Sequence, residues 1–317
     1  MTKFLSKFVA ILACGAVAAG LPHGSSHAAD NVIRIGFQKY GTLVLLKAKG
    51  SLEEKLEPLG FSVLWTEFPS GPTLLEAINV RAIDFGTTAE TPPIFAQAAG
   101  APILYVAHEP PAPQGEAILV PKDSPIRTVA DLKGKKVALN KGSNVHYLLV
   151  RALEKASVPY SEIKPAFLAP ADARAAFEHG AVDAWVIWDP FLAAAEVSTG
   201  ARRLTDGTGL VANHQFYLAE QKFAVAHPRV IDVVISAVGE IDSWAKDNVP
   251  GAAEQLSPAI GIPAPILEIA WKRQSYGVKL LDERVIDEQQ RIADTFYALG
   301  LLPKPVTVST VVMRAGS

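Results

Sequence analysis

The sequence predicts an α/β protein of two lobes with a ligand cleft between them, and three observations carry that prediction. Short runs rich in Val and Ile alternate with segments of helical periodicity, the pattern of parallel α/β units. One such unit occurs twice: residues 77–85 match residues 176–184 in character at every step except one, where Arg81 stands against Gly180. Finally, two extended runs, at 117–120 and 215–219, flank the second unit and are the expected crossovers between lobes.

The first element in chain order is an export signal: Lys3 and Lys7, an apolar run over 8–21, then small residues ending at Ala28 and Ala29, near which cleavage is expected. The run is too short and too rich in Ala and Gly to span a membrane, and no later stretch reaches about 20 apolar residues. A soluble exported chain is therefore expected. The single cysteine, Cys14, lies inside the signal; Ile11-Leu12-Ala13 before it weakly resembles a lipoprotein box, but an incidental small residue is the preferred reading. The mature chain then has neither disulfides nor thiol chemistry. Removal of residues 1–29 leaves 28 basic and 32 acidic side chains without a polybasic block, which argues against nucleic acid as a partner. Any anionic ligand must be held by local donors, because the overall field does not attract it.

Expected strands occupy 32–37, 61–66, 83–85, 103–107, 117–120, 136–139 and 181–187, with helices at 72–80, 91–99, 145–155 and 170–179 between them. Beyond Pro228 the chain reads as helices at 230–246, 252–256, 265–273 and 283–299. Lobe 1 is assigned to 30–116 and lobe 2 to 117–214, with 215–317 returning and packing mainly on lobe 1. Arg81, where a left-handed helix cap would favour Gly, must turn differently or accept strain.

Candidate ligand contacts lie where strands hand over to helices. Gln38, after the first strand, offers both donor and acceptor. Gly71 allows close backbone approach, and Pro72 fits the first turn of a helix. The stretch 85–100 carries Thr88 and Glu90 before a helix announced by Pro92 and Pro93, with Thr91 expected as its cap. Residues 140–146 resemble an anion nest, with Ser143 or Asn144 as cap and His146 either donating to an anion or covering apolar surface. Trp188 offers a flat wall and an N–H donor, with Phe37 or Tyr40 as further walls, while Trp185 reads as core. Asp189 is a natural cap for the helix begun by Pro190. No catalytic, cofactor or metal signature is present: there is no Walker loop, no Gly-x-Ser-x-Gly and no zinc spacing. His108-Glu109-Pro110-Pro111 fails as a metalloprotease helix, and Gly207-Thr208-Gly209 reads as a turn.

As an ordered set, Ile35-Gly36-Phe37-Gln38-Lys39, Glu67-Phe68-Pro69-Ser70-Gly71-Pro72, residues 92–100, Lys141-Gly142-Ser143, residues 169–177 and Ile187-Trp188-Asp189-Pro190 resemble the periplasmic substrate-binding proteins of aliphatic-sulfonate ABC transporters. The resemblance implies the type 2 periplasmic-binding-protein fold, two Rossmann-like α/β lobes joined by two crossovers. It also implies a monomer that closes on a small anionic organosulfonate and delivers it to a membrane permease driven by an ATPase. It places the ligand near Gln38, Gly71, Thr88, Ser143 and Trp188, with Glu90 and Asp189 at the rim or as caps. Glu90 stands where the family has the shorter Asp, and Asn144 where a small hydroxyl residue is common; both changes bear on tail preference. A sulfonate's three equivalent oxygens suit converging neutral donors. The competing readings are a binding protein for taurine, nitrate or another anion, and an enzyme on the same scaffold resembling the pyrimidine-forming enzymes of thiamine biosynthesis. Those enzymes carry a cysteine-rich iron-binding stretch that this chain lacks.

Overall fold

The computed structural model describes residues 31–313; the export signal, its cleavage near Ala28 and Ala29, and Cys14 lie outside the described residues. Ten strands appear among the described residues: β1 (Asn31–Phe37), β2 (Phe61–Glu67), β3 (Phe85–Ala89), β4 (Ile103–His108), β5 (Glu116–Val120), β6 (Lys136–Leu139), β7 (Lys164–Phe167), β8 (Ala184–Trp188), β9 (Arg202–Asp206) and β10 (Gln215–Glu220). They form two sheets, ordered β2-β1-β3-β10-β4 and β7-β6-β8-β5-β9. The two orders are the same when β6 is set against β1 and β5 against β10. In each sheet the strand that arrives from the other lobe runs antiparallel between its neighbours.

The runs at 117–120 and 215–219 are thus sheet strands and not the crossings themselves. The chain crosses in the irregular segments just before them, 109–115 and 207–214, which are tied together by Ala112 N–H to the Ala212 carbonyl at 3.0 Å and Gly207 N–H to the Pro113 carbonyl at 2.9 Å. The Gly207 to Gly209 segment is a turn, as read.

The internal repeat is structural. Arg81 and Gly180 both adopt left-handed backbone, with φ of 57° and 68°. Asp84 then accepts the Arg34 N–H at 2.8 Å, and Asp183 accepts the Lys136 N–H at 2.7 Å, each tying the central strand that follows it, β3 or β8, to the neighbouring β1 or β6. Arg81 therefore accepts the strain, about 1 kcal/mol for a residue with Cβ. Its carbonyl accepts from the Arg34 guanidinium at 2.7 Å, and its own side chain pairs with Glu220 at 3.3 Å.

Helices α1 (Thr42–Lys49), α2 (Ser51–Leu56), α3 (Gly71–Asn79) and α4 (Pro92–Ala98) belong to the first lobe, and α5 (Asn144–Lys155), α6 (Pro170–Glu178) and α7 (Phe191–Thr199) to the second. The helices α1 and α2 were not anticipated. Thr42 to Leu46 are buried on all sides, so the apolar stripe that reveals a surface helix is missing. Strands β7 and β9 were missed because both are half-exposed edges of polar composition, KPAF and RRLTD. The expected strand at 83–85 starts later, at Phe85, because the left-handed turn and Asp84 occupy the residues before it.

After the short α8 (Gln221–Ala226), α9 (Pro228–Asp247) and α10 (Val249–Ile260) pack on α1. Helix α11 (Ala264–Arg273) lies against α10 and also against α7 of the second lobe. In α12 (Glu283–Ala298), Phe296 meets Phe95 of the first lobe and His146 of the second, each with ring centroids 5.1 Å apart. Two of the five helices described after β10, α11 and α12, therefore bridge the lobes. No helix among the described residues is long and apolar enough to cross a membrane.

Candidate functional site

Between the lobes lies a small cavity of about 20 Å³, lined by Gln38, Tyr40, Gly71, Thr88, Ala89, Pro92 and Gln215 from the first lobe and Ser143, Asn144 and Trp188 from the second. None of these ten side chains carries a charge.

The first-lobe wall is built at the ends of adjacent strands. Gln38 follows β1 and donates to the Thr87 carbonyl at 3.0 Å; Gln215, at the start of β10, donates to the Thr87 hydroxyl at 2.7 Å, and that hydroxyl donates to the Phe216 carbonyl at 3.0 Å. These bonds fix two amides without using all of their capacity. Thr88, the next residue of β3, has a buried hydroxyl with no partner among the described residues. It lies against Gly71, where an added Cβ would sit 2.0 Å from Thr88 Oγ1 and 2.8 Å from a Pro92 ring carbon. The need for glycine here is therefore a need for space, as its φ is not in the left-handed region.

The second-lobe wall is the turn into α5. Gly142 adopts φ 73° and donates its N–H to His146 Nδ1 at 3.2 Å, while Ser143 Oγ donates to the Asn140 carbonyl at 2.8 Å. Asn144 Nδ2 donates to Glu116 at 2.6 Å and to Asn213 Oδ1 at 3.1 Å. Its side chain is thereby tied down, and the N-terminus of α5, the positive end of its dipole, stands at the cavity wall. Trp188 ends β8 and closes the side, edge-on to Phe191 at 6.5 Å; Trp185 is core, against Phe177 at 5.8 Å.

Of the ten candidate contacts six thus meet at one cavity, Gln38, Gly71, Thr88, Ser143, Asn144 and Trp188, and the expected wall residue Tyr40 joins them. Four do not. Pro72 lines a separate outer pocket with Leu75 and Phe95. His146 is buried among Tyr160, Phe167 and Phe296; burial, with Lys141 nearby, pushes its pKa down to about 4. Because Nδ1 accepts from Gly142, Nε2 carries the hydrogen and donates to the Tyr160 hydroxyl at 2.9 Å, so His146 shapes the loop and does not face an anion. Glu90 turns toward the second crossing, where it accepts the His214 N–H at 3.2 Å, and burial pushes its pKa up to about 8. Asp189 is fully buried, accepts the Ala193 N–H at 3.0 Å, and has its pKa raised to about 7 by burial against the opposing pull of Arg273.

Further expectations are corrected by the structure. The hydroxyls of Thr91 and Ser143 cap neither helix, and Phe37 is core against Trp65 at 6.1 Å. Sequence reasoning missed Gln215; its one signal is a polar residue opening a fully buried strand. A larger groove of about 540 Å³ opens on the crossover side, but charges of both signs line it, among them Arg151, Glu288, Arg291 and Asp294. It offers no converging set of donors comparable with that between the lobes.

A sequence profile described as NMT1/THI5 like matches residues 66–244. An aliphatic sulfonates-binding protein of Escherichia coli (strain K12) is 44% identical over 285 residues, covering 90% of this chain and 89% of that one. The solved structure of the alkanesulfonate-binding protein SsuA from Xanthomonas axonopodis pv. citri, bound to MOPS, superposes with a TM-score of 0.86 at 43% identity, covering 90% of this chain and 98% of that chain. That of the periplasmic aliphatic sulphonate binding protein SsuA from Escherichia coli gives 0.82 at 43% identity, covering 90% and 92%.

Proposed function

The chain belongs to the aliphatic-sulfonate-binding proteins of ABC importers, and from that membership we propose that it holds the sulfonate head group in the cavity between its lobes. It is a substrate-binding protein and not an enzyme. The observation that carries the site assignment is the wholly uncharged lining, supplied by both lobes, with the Thr88 hydroxyl unpaired beside the Gly71 backbone. A sulfonate stays ionised at physiological pH, so converging amides, hydroxyls, an indole N–H and a helix N-terminus match its three oxygens without a cation. Neutral donors also leave the ligand free to be released.

In this reading Gln38, Thr88, Ser143, Gln215 and the start of α5 surround the head group, while Tyr40 and Trp188 wall the tail. No carboxylate lines the cavity, so the ammonium of taurine lacks the partner that Glu90 or Asp189 was expected to give it. The mature chain, cut near Ala28 and Ala29 and exported to the periplasm, acts as a monomer and hands its ligand to a membrane permease energised by an ATPase.

A thermal-shift panel of alkanesulfonates, taurine, sulfate and nitrate tests the head-group assignment. Ligand at about 100 times its Kd stabilises the folded chain by about 2.7 kcal/mol, so alkanesulfonates should raise the melting temperature by several degrees. A strong shift with another anion and none with any sulfonate at millimolar concentration defeats the assignment.

A further inference from the structure

Charged groups of the two lobes meet beside the first crossing, where the Asp189 N–H donates to the Gly115 carbonyl at 2.8 Å and α11 packs on the same segment. Arg273, the last residue of α11, reaches from the first lobe to the second: Nη2 donates to Glu196 at 2.6 Å, and Nη1 lies 3.4 and 3.5 Å from the two oxygens of Asp189. Among the described residues it is the one Lys or Arg whose ion pairs join the lobes. Its base is anchored on the first lobe, because the segment after it is tied down at three points. Gln274 donates to Thr42 at 3.4 Å, Ser275 donates to the Pro111 carbonyl at 2.5 Å, and Lys279 exchanges two backbone bonds of 2.8 Å with His108.

The acceptors are equally fixed on the second lobe. Arg203 holds Glu196 through bonds of 2.8 and 3.1 Å, and the Ala193 N–H holds Asp189. Neither end therefore has to rearrange to meet the other when the lobes approach. A guanidinium presents a rigid fork able to serve two carboxylates at once, and at 15% exposure this one is partly desolvated, where ion pairing is stronger than at an open surface. Asp189 directly follows Trp188 of the cavity wall and precedes Pro190, so whatever holds Asp189 also holds that wall.

We propose that Arg273 is a positioning residue that latches the closed state, fastening the Trp188–Pro190 segment of the second lobe to α11 of the first without touching the ligand. The proposal rests on the reading of the cavity as the sulfonate site, but its own content is where the closing free energy comes from. A latch that forms only in the closed state raises affinity by stabilising that state, and it does so equally for every ligand that closes the lobes.

The test compares Arg273→Gln and Arg273→Lys with the unaltered chain, using ethanesulfonate and octanesulfonate as probes in calorimetry and stopped-flow release. Arg273→Gln should weaken both by about tenfold, mainly through faster release, with Arg273→Lys in between because it keeps the charge but not the fork. Trp188→Ala, by contrast, should cost octanesulfonate more than ethanesulfonate. Adding Glu196→Gln to Arg273→Gln should change affinity by less than about twofold, since the pair is already broken.

Closure is read independently by spin labels on cysteines introduced at exposed Val80 and Asp172, positions that can be labelled selectively because the only other cysteine is Cys14. Arg273→Gln should shrink the short-distance fraction with and without ligand. Unchanged affinity together with an unchanged distance distribution overturns the latch. So does a loss that grows with tail length, which would make Arg273 a ligand contact. Failure of the unaltered chain to bind either sulfonate counts against the cavity assignment instead, and the distances without ligand still decide the latch.

Discussion

Glu90 illustrates how much one side chain's direction decides. From the sequence it stood at the rim of the site or as a cap; in the fold its neighbours Thr88 and Ala89 face the cavity, while Glu90 itself is 1% exposed and turned to the second crossing. A strand end tells which residues arrive at a cleft, but alternation then sends successive side chains to opposite faces, and a terminal turn can reverse that order. Gln38, Thr88 and Trp188 were legible because strand ends feeding helix starts are where such sites form. Gln215 was not, because it reaches the cavity on a strand returning from the other lobe.

The buried carboxyls have a consequence for pH. Burial pushes Glu90 and Glu109 up to about 8, and Asp189 to about 7, against ordinary values of 4.5 and 3.8. A raised carboxyl keeps a proton in the folded chain that the unfolded chain has lost, so its contribution is complete below the ordinary value and disappears as pH rises through the raised one. His146, lowered to about 4 from 6.5, acts oppositely and weakens the fold as pH falls through that range. The three carboxyls outweigh His146, so the melting temperature should fall between about pH 5 and pH 8, and Glu90→Gln should flatten that fall. A pH titration of thermal unfolding checks this; an unchanged slope in the variant would remove Glu90 from the account.

At the scale of elements, the repeated αβ unit was the most informative pattern in the sequence, and the structure gives its reason. Both copies need a left-handed residue so that an Asp can bond the backbone of the strand beside the central one. Gly180 meets the requirement freely, and an added Cβ there would touch nothing within 4 Å. Gly180→Ala should thus cost about 1 kcal/mol from backbone conformation alone, measured by denaturant unfolding, with sulfonate affinity unchanged. Helices α3 to α6 were legible from amphipathic spacing and starting prolines. Helix α1 was not, since a helix buried on all sides has no polar face to mark its period, and β7 and β9 were hidden by their polar edges.

For the whole molecule, the sequence carried the two-lobed class through its alternation and its repeat. It did not show that α11 and α12 span both lobes, because a helix's apolar stripe says that it packs and not on what. The same strand order in both sheets hides one asymmetry with a consequence for biogenesis. All five strands of the second sheet fall within residues 116–206, an unbroken stretch, whereas the first sheet needs β10 inserted between β3 and β4. As the chain emerges from the ribosome or the export channel, the first hundred residues wait with a gap in the middle of their sheet until residue 220 has arrived. The second lobe, although later in the chain, is the first that can be completed. A fragment spanning 109–214 should accordingly show cooperative unfolding on its own and one spanning 31–108 should not, as followed by circular dichroism. The lobe that begins the protein is therefore the last to be finished, and until then its exposed strands β3 and β4 are what a chaperone would have to guard.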